Sequence, residues 1–121
     1  MYQVMNRMVR HDWYVPRVMS RMERQIKMKF YYVYILKSLV KDFIYVGFTT
    51  DLKTRFKRHN SGTEFSTKPY LPFELIHYEA YRNIGDAKRR EEYFKTTKGK
   101  TTLKMMLKEG LREMAVNMLL T

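Results

Sequence analysis

Phe30-Tyr31-Tyr32-Val33-Tyr34-Ile35-Leu36 is followed, after a short gap, by Phe43-Ile44-Tyr45-Val46-Gly47-Phe48. Both runs are built of aromatic and β-branched residues, which fit a pleated and half-buried surface, so each reads as a strand. The connection Ser38 to Asp42 leaves room only for a tight return, and the pair is expected to form an antiparallel hairpin. With a connection of even length, such as 38–41, Lys37 faces Asp42 and Tyr34 faces Tyr45. Both phenols then lie on one face of the hairpin.

Downstream of the hairpin, Thr49-Thr50-Asp51 offers helix-capping side chains, and Leu52, Phe56 and His59 follow at helical spacing. This helix should stop near Asn60-Ser61-Gly62, where Asn and Gly tolerate a left-handed backbone. Residues 61–72 read as a loop broken by Gly62, Pro69 and Pro72. Phe73 to Tyr81 is a third strand. Asn83 or Asp86 can cap a helix through Ala87, Arg90, Glu91 and Phe94. A break near Gly99 precedes a last helical stretch over 101–118. The order β-β-α-β-α-α implies an α/β (α+β) domain, a small three-stranded, mainly antiparallel sheet flanked by helices. The domain is expected over 30–110, with 111–121 as a helical tail.

Upstream, residues 1–29 carry seven basic and two acidic residues and six of the ten methionines. Their apolar residues keep no steady period. We read them as a disordered basic extension or the product of an upstream start codon, with Met28 as the working start. A basic arm lying along DNA is the competing reading.

Across all 121 residues, 24 Lys and Arg face 12 Asp and Glu, a formal net charge of +12. Such an excess on so small a chain calls for a polyanionic partner, with nucleic acid in first place. An anionic membrane surface or ribosomal RNA would attract the same charge, so basicity alone does not separate an enzyme from a passive binder. With no cysteine, disulfides and Cys-based zinc sites are excluded. No apolar run approaches the roughly 18–20 residues of a membrane span. A cytoplasmic protein without a membrane partner is the expectation.

The tripeptides Tyr32-Val33-Tyr34 and Tyr45-Val46-Gly47, with ten residues between their facing tyrosines, resemble the two motifs that name the GIY-YIG endonucleases. Leu52, Arg55 and His59 resemble the family's next motif, a Leu followed by Arg three positions later and His or Tyr seven positions later. Ala87-Lys88-Arg89-Arg90-Glu91-Glu92-Tyr93-Phe94-Lys95 resembles its helix bearing a metal-binding Glu. The resemblance covers about residues 30–110 and is nearest to single-domain members related to the amino-terminal nuclease domain of UvrC. Tyr32 stands where the family has Gly, and Val replaces both central isoleucines.

The resemblance implies hydrolysis of DNA phosphodiester bonds with a divalent metal, Mg2+ before Mn2+. It assigns Tyr34, Tyr45, Arg55, His59 and Glu91 to catalysis and Glu91 to the metal, with Glu92 as the neighbouring alternative. Physically, a phenol near a phosphate can orient or deprotonate water if nearby cations lower its pKa. A guanidinium grips two phosphate oxygens and stabilises the charge that builds on them. His59 shares a helix face with Arg55 and can orient the nucleophile. A lone carboxylate suits magnesium, which keeps several waters. Gly47 leaves room for a close approach of the DNA backbone or the first helix. Lys53, Lys57, Arg58, Lys68, Arg90 and Lys95 are expected to track phosphates, Lys68 foremost. Nothing resembles an appended sequence reader, so recognition should rest on single strands, flaps or branches, or on a protein partner, in repair or recombination. The competing readings are a non-catalytic nucleic-acid-binding module on the same fold and a structural protein bound to ribosomal RNA.

Overall fold

The computed structural model describes residues 20–22 and 29–120. The expected basic extension therefore lies outside the described residues, apart from 20–22 and 29. Strands β1 (Tyr31–Ser38), β2 (Ile44–Thr49) and β3 (Phe73–Tyr81) form one antiparallel sheet in the order β2-β1-β3. Helix α1 (Leu52–Asn60) connects β2 to β3, with a short 3-10 turn at Lys68–Tyr70. Helices α2 (Ile84–Lys95), α3 (Thr97–Met106) and α4 (Lys108–Leu120) follow. The α+β architecture is the expected one, with one helix more than expected.

Two features of the sequence reading need correction. Tyr34 pairs with Gly47 and Leu36 with Tyr45, so the hairpin register is offset by two from the expected one. The cause lies in the turn. Ser38 is buried, and its hydroxyl oxygen accepts from the backbone N–H of Val40 and Lys41 while donating to the carbonyl of Tyr70. The Ser38 N–H then closes the loop onto the Phe43 carbonyl, which lengthens the connection. An offset of two preserves the face on which each side chain lies, so both phenols still share a face. The second correction concerns the carboxy-terminal helices. The break expected near Gly99 falls at Thr96, whose hydroxyl caps the Gly99 N–H in the first turn of α3, and a further break at Leu107 splits the stretch expected over 101–118.

The strands divide the interior in two. Val33, Ile35 and Val46 pack with Ala87 and Phe94 of α2 and Leu103 of α3. Tyr34, Leu36 and Phe73 pack on the opposite face with Tyr45, Leu52 and Phe56. Burying each such large apolar side chain is worth roughly 1.5–3 kcal/mol. The first face is a conventional apolar core. The second carries the polar groups described next.

Candidate active site

Helix α1 brings two polar side chains under the sheet. The Asp51 carboxylate caps it by accepting from the Thr54 N–H, and Gly62 takes the left-handed backbone (φ 82°) just past its end. The Asn60 amide then ties the helix end to β3 by donating to the Phe73 carbonyl (3.0 Å) and accepting from its N–H (2.8 Å). This fixes α1 against the sheet face that carries Tyr34.

The result is a buried hydrogen-bonded chain. Tyr34 and His59 are almost wholly enclosed, and the Tyr34 hydroxyl lies 2.9 Å from His59 Nε2. His59 Nδ1 lies 3.1 Å from Oγ1 of the buried Thr67. The Thr67 hydroxyl donates to the Glu64 carbonyl, which leaves its oxygen as the acceptor for Nδ1–H. That assignment makes Nε2 the acceptor of the Tyr34 proton. Burial, reinforced by the Arg55 and Arg58 charges and only partly offset by Glu64, lowers the pKa of His59, so the neutral ring is favoured.

Tyr45 completes the cluster from the edge strand. Its ring lies 4.8 Å from the His59 ring and 6.1 Å from that of Tyr34. Tyr45 is only partly buried and Tyr34 is sealed. Arg55, one turn before His59, acts electrostatically on Tyr34, Glu64 and Tyr45. Burial opposes its charge, but those three neighbours more than offset this and raise its pKa. Its Nε is buried without a hydrogen-bond partner, so the guanidinium keeps unused donor capacity at this site.

A phenol takes a proton from water only if nearby cations lower its pKa. For Tyr34, burial and then Tyr45 push it upward, and Arg55 does not compensate. A sealed Tyr34 is therefore a neutral hydrogen-bond donor to His59.

Gly47 pairs with Tyr34, and a Cβ placed there would overlap the Tyr34 phenol. The room it leaves is taken up by the site tyrosine, so neither DNA nor the helix needs to be invoked for it.

Glu91 lies elsewhere. Helix α2 packs on the other face of the sheet, along edge strand β2, where Lys88 Nζ sits 4.2 Å from the centre of the Phe48 ring. The Glu91 side chain is 12% exposed, with Lys95 Nζ at 3.0 Å and Lys88 Nζ at 4.0 Å. Among the described residues, no hydrogen bond or ion pair joins it to Tyr34, Tyr45, Arg55 or His59, and no three acids or histidines gather as a metal cluster. The structure thus brings four of the five expected residues together and holds the fifth on the helix beside the same edge strand.

The basic residues differ in their engagement. Lys53, Lys57 and Lys68 are exposed. Arg58 Nη2 lies 2.8 Å from Glu64 Oε2, an ion pair without hydrogen-bond alignment. Arg90 is held internally. Its guanidinium donates to both Glu79 oxygens (2.9 and 3.3 Å) and stacks 4.3 Å from the Phe94 ring centre. Tyr81 and His77 complete the shell around Glu79. Burial alone would raise the pKa of Glu79, but the hydrogen bonds from Arg90, His77 and Tyr81 prevail and hold it at about 2.

Sequence reasoning missed Glu64 and Thr67, which lie in a segment without periodicity. Their only signal was position, since both fall in the loop that must return from α1 to β3 past the site.

Residues 30–104 match the model of the GIY-YIG catalytic domain. A UPF0213 protein of Clostridium perfringens is 32% identical over 83 residues, spanning 68% of this chain and 88% of its own. Another, from Pediococcus acidilactici, is 37% identical over 71 residues, spanning 56% of this chain and 72% of its own. The solution NMR structure of a UPF0213 protein from Bacillus halodurans, 34% identical, covers 71% of this chain and 93% of that one with a TM-score of 0.44. Tyr34, Tyr45, Arg55 and His59 all fall inside the matched span, and the chain belongs to the GIY-YIG catalytic-domain family.

Proposed function

We propose that the protein is a metal-dependent endonuclease that hydrolyses phosphodiester bonds in DNA, selecting single strands, flaps or branches during repair or recombination. The observation that carries this reading is the Tyr34–His59 hydrogen bond lying next to a guanidinium with an unused buried donor, beneath a phenol that solvent reaches. Membership of the family supplies the nuclease chemistry and a DNA substrate.

Tyr45 is the phenol placed to meet substrate, because Tyr34 is sealed behind it. Its hydroxyl oxygen accepts a hydrogen bond from the attacking water, whose oxygen forms the new bond to phosphorus as the bond to the leaving oxygen breaks; the water gives up a proton to solvent and the leaving oxygen takes one up from it. Arg55 donates to the non-bridging oxygens and stabilises the charge that grows on them. Tyr34, His59 and Thr67 act as positioning residues that lock the rings in place.

For the metal, the reading calls on one carboxylate. Magnesium takes one or two protein carboxylates and retains water, and Glu91, largely enclosed, would hold it in place of the Lys95 ammonium that it now meets. Bound there, the metal would neutralise the phosphate and the departing oxygen. Lys53, Lys57, Arg58, Lys68 and Lys95 form the phosphate-tracking set. Arg90 leaves it, because its guanidinium is held by Glu79.

The test is nicking of supercoiled plasmid with Mg2+ and with Mn2+. The wild-type protein should nick with metal and stop with chelator. Glu91→Ala should abolish nicking while DNA binding persists. Full cleavage by Glu91→Ala would reject the metal assignment, and salt-sensitive binding without strand breaks under either ion would reject the enzyme.

A further inference from the structure

Beside the phenol cluster the sheet carries a second feature that catalysis leaves unused. On the face that bears Tyr34, a groove of about 840 Å³ opens between α1 and strands β1 and β3. Its walls include Phe30, Tyr32 and Tyr78, with Leu52 and Phe56 of α1 opposite and Lys53 at the rim. Tyr32 and Tyr78 meet edge to face at 6.0 Å, and Tyr78 is 52% exposed. Tyr78 thus offers ring surface to solvent beside the half-buried Tyr32, surface that a stacked ligand would cover. Tyr32 is also the residue that stands where the family motif has Gly.

We propose that this groove is a stacking subsite for one unpaired nucleobase next to the scissile bond. The inference rests on the nuclease reading and deepens it, because it names what the enzyme selects. Three observations point to a base over other flat or apolar ligands. First, Tyr32 and Tyr34 lie two residues apart on one strand, so their side chains share a face about 6–7 Å apart. A base stacked on Tyr32 therefore adjoins the phosphate site. Second, α1 carries Leu52 and Phe56 toward the groove and Arg55 toward the phenols, so one helix serves both places. Third, the outward side of α1 that borders the groove carries exposed lysines. Lys53 lines the groove and Lys57 continues the same helix, which suits a polyanion threading past. Asp51 is the acid among the lining residues, and its carboxylate caps α1. Aromatic platforms beside a cationic track are how single strands are held without reading their sequence, since every base has a π face. A fully paired duplex cannot fill such a groove, because its bases are already stacked.

The test pairs a loss on the DNA with a loss on the protein. Binding is measured by fluorescence anisotropy, in chelator, on a duplex with a single unpaired thymine flap and on the same duplex with an abasic flap. Wild-type protein should favour the thymine by roughly tenfold. Tyr78→Ala should erase that preference while binding the abasic duplex as wild type does, and Tyr32→Phe should keep it. Equal binding of both duplexes by wild type would overturn the subsite, as would a preference that survives both Tyr78→Ala and Tyr32→Leu. Parallel nicking with Mg2+ separates the two readings. A base preference without cleavage supports the groove and sinks the nuclease, and cleavage without a base preference sinks the groove alone.

Discussion

The two faces of β1 are assembled from alternate residues of one segment, yet they perform different work. Val33 and Ile35 meet Phe94 and Leu103 in a core whose buried members are all apolar, with the Arg90 guanidinium stacked on Phe94 at its margin. Tyr34, on the other side, meets an imidazole, and Tyr45 and Arg55 gather around it. The first face is held by area removed from water. The second adds to its apolar packing a buried chain of hydrogen bonds, Tyr34 to His59 to Thr67, and an error in either link leaves a buried polar atom unpaired. The contrast teaches that the side of the sheet bearing the candidate site is positioned by specific hydrogen bonds as well as by packing, so stability and site geometry should be separable by substitution.

The largest separation is expected at Phe94. It is wholly buried in the apolar face. Phe94→Ala should cost about 3–5 kcal/mol in denaturant unfolding, with residual activity tracking the folded fraction. A small loss, below about 1 kcal/mol, would mean that this face does not carry the fold.

Acid should weaken the same side at its polar margin. The Glu79 carboxyl holds its proton less tightly in the folded protein, at about 2 against an ordinary 4.5. The unfolded chain therefore takes up the proton first as pH falls. The contribution is complete above about pH 4.5 and is lost toward pH 2, on the order of 2–3 kcal/mol in all. His59 adds to the acid sensitivity from the other face at higher pH, since its lowered pKa makes protonation below the ordinary 6.5 unfavourable to folding. Glu79→Gln should flatten the lower part of the stability curve. An unchanged curve between pH 4.5 and 2.5 would contradict the Arg90–Glu79 network as its source.

Gly47 sits where the two kinds of order meet. Gly47→Ala puts a methyl group into the Tyr34 ring, so Tyr34 or β2 must shift. Overpacking of this kind costs about 1–3 kcal/mol, and here it should also lower the nicking rate of the folded protein. Wild-type stability together with a wild-type rate would show that the phenol is not held as tightly as described.

How much of this could be read in the sequence follows the same division. The strands, α1 and the capping segments were legible, because aromatic and β-branched runs and capping residues are local signals; the structure selects Asp51 from Thr49-Thr50-Asp51 and Asn83 over Asp86. The hairpin register was not, because it depends on a buried Ser38 hydroxyl reaching both the turn and Tyr70, a contact 32 residues away in the chain. The split between α3 and α4 at Leu107 carries neither Gly nor Pro to announce it. The membership of Tyr34, Tyr45, Arg55 and His59 in one site came from motif resemblance, and their spacing on strand and helix made it physically plausible. Their roles did not follow, since which phenol is sealed and which reaches solvent depends on how α1 covers the sheet. Arg90 misled for a related reason. Its partner Glu79 lies on a different element, and a basic residue on a charged helix looks the same in sequence whether it faces solvent or a carboxylate.

The most direct measurement is the single-turnover cleavage rate of Tyr45→Phe on a flapped duplex with Mg2+, taken beside its thermal midpoint. We expect the rate to fall by about 10²-fold or more, in the range seen when one group that serves the transition state is removed, with the midpoint within a few degrees of wild type. A rate equal to wild type in a normally folded variant would show that the partly buried Tyr45 phenol does not take part, and the site as assigned would be wrong.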